Sequence, residues 1–150
     1  MPARDIYHNA VKAALIFDGW QVTHDPYRIA YGGKDAYVDL AAERDKLDQV
    51  LGAERGSERI AVEIKTFTGP SVLVDLQQAI GQYQVYRSWM RRTEPERRLY
   101  LAVDIDTAAT VFDAAFGQSV ADDARIELIV VDVRAERIVV WKHYPDTDTR

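Results

Sequence analysis

The chain has no cysteine in 150 residues, so disulfides, thiolate metal sites and cysteine nucleophiles are excluded together, as suits a reducing compartment. Its three histidines, His8, His24 and His143, are too scattered for a zinc centre, and local hydrogen bonds are expected of them. No apolar stretch approaches the ~18 residues of a membrane span. The first residues show neither an apolar signal core nor an Arg-rich transit character, so a cytoplasmic protein without membrane contact is expected. A G-x-S-x-G elbow, a Walker loop and a G-x-G-x-x-G turn are all missing, which removes the usual hydrolase, NTPase and dinucleotide readings. An excess of positive charge is lacking too. At a net charge of -5 the molecule repels a polyanion at long range, so a role on nucleic acid needs a local basic surface, a bound cation or a partner.

What is present, 47% hydrophobic and 29% charged residues, suffices for one core, and a single domain is expected over residues 1–145, with 146–150 a flexible tail. Ile6, Ala10, Ala13, Ala14 and Phe17 recur at helical spacing before Gly19, a helix-stop signal. Trp20 to Thr23 reads as extended. Tyr27–Tyr31 and Lys34–Ala42 read as strands joined by Gly32-Gly33, a hairpin turn. Glu43 to Glu58 is dense in charge and reads as a solvated excursion, with room for one helical turn through Leu47 and Leu51. In Arg59–Phe67 the alternation puts Ile60, Val62 and Ile64 on one face and Glu63 and Lys65 on the other. Gly69-Pro70-Ser71 then opens a helix to about Arg92, with Leu73, Leu76, Ala79, Ile80, Tyr83, Tyr86 and Met90 as its buried stripe. Leu99–Val103, a helix capped by Thr107 and running to about Phe116, Ile126–Val133 and Arg137–Trp141 complete an α/β fold, a mixed β-sheet flanked by helices.

The chemistry-bearing residues lie on two of these strands. Asp39 belongs to the acidic face of Lys34–Ala42. If that strand pairs with Arg59–Phe67, the acid stands beside Glu63 and Lys65. Asp35 and Glu43 share the nominal face, each four residues or roughly 13 Å from Asp39, so the choice among the three stays open. Two carboxylates suit Mg²⁺ (or Mn²⁺), which keeps several waters and shares its octahedron with a phosphate, and a lysine on the same face can stabilise an attacking hydroxide. Arg87, Arg91, Arg92, Arg97 and Arg98, partly neutralised by Glu94 and Glu96, read first as cations meeting the end of the long helix and second as a phosphate-contacting patch.

This arrangement resembles the core of the PD-(D/E)xK restriction-endonuclease-like superfamily, with Asp39 as the first acid and Glu63-Ile64-Lys65 as the E-x-K. Gln82-Tyr83-Gln84-Val85-Tyr86 is similar to the Q-x-x-x-Y that follows in several nuclease lineages. No proline precedes Asp39, and the helix-one glutamate of some relatives has no counterpart here. The opening from Met1 to Lys12, with Asp18-Gly19-Trp20, Thr23-His24-Asp25-Pro26, Val62-Glu63-Ile64-Lys65, Ala79-Ile80-Gly81-Gln82-Tyr83 and Leu99–Val103, resembles the XisH family, the fdxN element excision controlling factors of cyanobacteria. The likeness runs to about Trp141, and the charged segment after Glu43 is longer than the family norm. It implies an endonuclease-like fold, a part in excising a DNA element during heterocyst development, and an XisI-type companion protein. Two expectations follow. One is a Mg²⁺-dependent endodeoxyribonuclease in which Asp39 and Glu63 hold the metal, Lys65 supports nucleophile and transition state, and Gln82 orients the water or Lys65. The other is a catalytically silent regulator that binds its XisI-type partner, DNA or a second copy of itself.

Overall fold

The structure is a computed structural model describing residues 3–48 and 53–145; the expected tail at 146–150 lies outside the described residues. Helix α1 (Ala3–Phe17) ends where Gly19 takes φ +95°, as its stop signal predicts. Its buried side is Ala10, Val11, Ala14 and Leu15, so the expected stripe is corrected by a rotation of the helix: Ile6 and Phe17 face solvent. The chain continues through β1 (Gln21–His24) to the hairpin β2 (Tyr27–Tyr31) and β3 (Lys34–Val38). Gly32 and Gly33, at φ +61° and +79°, make the turn between them, a backbone that side chains with a Cβ rarely adopt.

β3 does not run on to Ala42 as expected. The chain bends at Asp39, and Leu40 starts a separate strand, β4 (Leu40–Asp48), which pairs antiparallel with β5 (Ala53–Ile64). The cause is visible in the packing: Val38 and Leu40 are both fully buried, yet in different cores on opposite faces of the sheet. Residues two apart in one straight strand would share a face. The charged excursion expected from Glu43 to Glu58 is likewise corrected to strand at its described residues, 43–48 and 53–58, because opposite charges meet across the ladder, Glu43 opposite Arg59 and Arg44 opposite Glu58. Leu47 lies in β4 rather than in a helical turn, and Leu51 is outside the described residues.

Helix α2 (Val72–Thr93) begins at Ser71, whose hydroxyl accepts from Val74 N, and leads into β6 (Arg97–Asp104). Leu76, Ala79, Tyr83 and Met90 are buried as expected, whereas Leu73, with its neighbours Val72 and Val74 in the first turn, is exposed (57%). After β6 the expected Thr107 cap is replaced by Asp104, whose carboxylate accepts from Thr107 N. The helix there is only a short turn, α3 (Ile105–Thr107), and a π-turn (Ala108–Phe112), before α4 (Ala115–Ala124) starts anew. Gly117 permits this junction, since a Cβ there would meet the Val111 carbonyl oxygen at 2.0 Å. Strands β7 (Leu128–Asp132) and β8 (Arg137–Lys142) close the chain.

The main sheet is mixed and six-stranded, in the order β1-β4-β5-β6-β7-β8, with β5, β6 and β7 parallel. α1 covers one face over Ile60, Val62, Tyr100 and Ile129, and α2 covers the other over Ala61, Leu99, Leu101 and Leu128. Among the described residues no helix is long and apolar enough to cross a membrane.

Candidate functional site

The bend at Asp39 and the end of β5 define the site. Leu40 pairs with Val62, so one further step along the ladder sets Asp39 opposite Glu63. The two acids are clasped reciprocally: Asp39 N donates to Glu63 Oε1 at 3.3 Å, and Ile64 N donates to Asp39 Oδ2 at 2.7 Å. Their carboxyls are thus on one side of the sheet. Lys65, two residues beyond Glu63, holds its place because its backbone N–H continues the ladder to Ala102 O at 3.0 Å. The open choice among acids is resolved by their partners. Asp35 pairs with Arg28 at 2.8 Å and Glu43 with Arg59 at 3.4 Å, leaving Asp39 beside Glu63.

Asp39, Glu63, Lys65 and Gln82 line one cleft of about 370 Å³. His8, Tyr37, Thr66 and Tyr86 line it too. Burial, and then the negative charge of Asp39, push the Glu63 carboxyl up to about 8. The hydroxyl of half-buried Tyr86 is raised by burial and by both acids. A proton or a cation is what such a pair lacks. Two carboxylates face one cleft, the oxygen donors that a hard divalent ion takes, although among the described residues no group of three or more His, Asp or Glu gathers that could enclose a metal by itself. Such a pair leaves coordination positions for water and a phosphate oxygen.

His8 is the residue that the sequence reading did not assign to the site. It reaches the cleft from α1, and its Nε2–H donates to Asp25 Oδ1 at 2.8 Å, while Lys12 Nζ donates to Asp25 Oδ2 at 2.8 Å. Burial would raise the Asp25 carboxyl, but these two donors outweigh it and hold the group below its ordinary value. The available signal was the i, i+4 spacing of His8 and Lys12, with Asp25 beyond the helix. His24 makes the expected local bond, to Thr23 Oγ1, whereas His143 bonds across the fold to the Tyr100 hydroxyl. Tyr83 is core, as expected, its hydroxyl donating to Leu99 O at 2.7 Å; Tyr86 is corrected to a half-buried residue on the cleft wall.

The XisH protein family model matches residues 1–139. The chain belongs to the XisH family. A crystal structure of an XisH family protein from Nostoc punctiforme PCC 73102 is similar at 38% identity and a TM-score of 0.82, covering 93% of this chain and 100% of that one. A crystal structure of an fdxN element excision controlling factor protein from Anabaena variabilis is similar at 38% identity and a TM-score of 0.81, over the same shares. No curated protein matches the chain at a significant level.

Proposed function

We propose that this XisH protein takes part in excising a DNA element by metal-dependent phosphodiester hydrolysis, on a core of the PD-(D/E)xK type. The observation that carries the reading is the reciprocal clasp of Asp39 and Glu63 beside Lys65 in one cleft. Mg²⁺ or Mn²⁺, when bound, would polarise the phosphate and acidify a water. Asp39 and Glu63 would hold that ion, since their crowded charges are relieved by it. Lys65 would stabilise the negative charge that develops on phosphorus-bound oxygen. Gln82, exposed on α2 at the cleft wall, would orient the attacking water. Water oxygen then bonds to phosphorus, one ester oxygen leaves and takes a proton, and the water gives up a proton to solvent. His8, steadied by Asp25, stands where it can touch a bound phosphodiester.

The test is nicking of supercoiled plasmid with Mg²⁺ or Mn²⁺. Glu63→Gln and Lys65→Ala are each expected to slow it on the order of 10²-fold, the scale for losing one preorganised charged group. Equal nicking by wild type and both variants rejects the reading. The net charge of -5 favours a second reading, a silent scaffold brought to DNA by an XisI-type companion. That reading expects co-purification with the companion and element excision unchanged by Lys65→Ala; a lone protein that nicks DNA contradicts it.

A further inference from the structure

α2 has a second cavity on its other flank. Gln82 and Tyr86 line the acid cleft, whereas Tyr83, Arg87 and Arg91 line a space of about 570 Å³ above the start of β6. Four arginines face it, against two glutamates. Their partners divide them. Arg97 donates to Glu94 at 2.5 Å and to Ile60 O at 2.9 Å, and Arg98 donates to Glu127 at 2.5 Å. Glu127 is further occupied by Tyr144 N at 3.0 Å, so it has little left for another cation. Arg87 is fixed by Arg125 O at 2.8 Å and lies 4.9 Å over the Tyr83 ring, and burial lowers its pKa. Exposed Arg91, one turn on, makes no hydrogen bond or ion pair with any described residue. Two like charges at i, i+4 repel; the charge of Glu127 offsets part of this for Arg87, and among the described residues neither guanidinium makes an ion pair.

We propose that this cavity binds a small phosphate-bearing ligand through Arg87 and Arg91. The planar guanidinium fork matches a phosphate's oxygens, and two forks one helical turn apart suit two linked phosphates. The volume lies in the range of small-ligand sites, roughly 300–1,000 Å³. A DNA backbone fits less well, because a duplex lies on a surface and the whole molecule carries a charge of -5. The site is separate from the acid cleft and does not depend on hydrolysis there.

The test is calorimetric titration with inorganic pyrophosphate and with ADP, in EDTA so that no divalent ion recruits phosphate to Asp39 and Glu63. Binding is expected for wild type and, unchanged, for Lys65→Ala. Arg91→Ala, an exposed substitution that leaves the fold intact, is expected to weaken it about 10-fold or more. Arg87→Ala should weaken it further; if that variant unfolds, Arg91→Glu serves instead. The proposal is overturned if neither probe binds wild type at about 1 mM, if Arg91→Ala binds as wild type, or if Lys65→Ala loses binding. A duplex oligonucleotide whose binding falls in Arg91→Ala, with neither small probe bound, replaces it with a backbone contact.

Discussion

The two flanks of α2 handle surplus charge in opposite ways. On one, two carboxylates are crowded together, and burial with the charge of Asp39 raises Glu63 although main-chain N–H groups and Lys65 partly offset it. On the other, two arginines are locked by internal acids and carbonyls while Arg87 and Arg91 keep donors to spare. A residue whose charge is neutralised inside the fold supports structure, and one left uncompensated beside a cavity is available to a ligand.

The comparison is exposed first to pH, where the largest effect is expected. Glu63 binds its proton more tightly folded than unfolded, about 8 against an ordinary 4.5. Its contribution to stability is therefore full below 4.5 and is lost as pH rises through about 8. Metal-free wild type should lose on the order of a few kcal/mol across that window, relative to Glu63→Gln, in urea unfolding. Added Mn²⁺ should restore wild type at the upper end and leave the variant unmoved. Parallel pH profiles would mean that neither burial nor the charge of Asp39 raises Glu63. The on the order of 10²-fold loss of nicking expected for Glu63→Gln and for Lys65→Ala comes next, about 2.7 kcal/mol in barrier.

How much of this the sequence contained depends on what fixes each residue. Glu63 and Lys65 were legible because Ile60 and Val62 are buried at period two, which forces the alternate residues to the other face. Asp39 was legible only as one of three, since the choice rests on where the strand bends, and the bend answers to two cores that take Val38 and Leu40 in opposite directions. The strands at 43–48 and 53–58 were hidden for a related reason: their pairing comes from cross-strand charges such as Glu43 with Arg59, which leave no apolar alternation to read. Gln82 came only with the likeness of Gln82-Tyr83-Gln84-Val85-Tyr86 to the Q-x-x-x-Y of nuclease lineages, since spacing along α2 says no more than that it faces outward. His8 was not legible, because α1 packs on the opposite face and reaches the cleft only through the tertiary fold.

Tyr83 sits under the arginine flank and tests whether that flank is rigid. Its hydroxyl donates to Leu99 O at 2.7 Å and accepts from Glu127 N at 3.2 Å, both in the interior. Tyr83→Phe leaves those groups without a partner and should cost about 1–3 kcal/mol in unfolding. Ligand affinity should fall as well, because the ring that carries Arg87 loses its tether. Unchanged stability would show that the floor of the cavity rearranges freely, and the division between locked and available arginines would blur.

The smallest effect is expected for Arg91→Gln without ligand. Arg91 lies in the last turn of α2, where a cation gains roughly 0.3–1 kcal/mol from the helix C-terminus. Its charge also repels Arg87, one turn back, at roughly 0.2–0.5 kcal/mol. The two contributions nearly cancel, so urea unfolding should place the variant within about 0.5 kcal/mol of wild type. A loss well beyond 1 kcal/mol would mean that Arg91 has a structural partner after all, and that the two flanks are alike in spending their charge inside the fold.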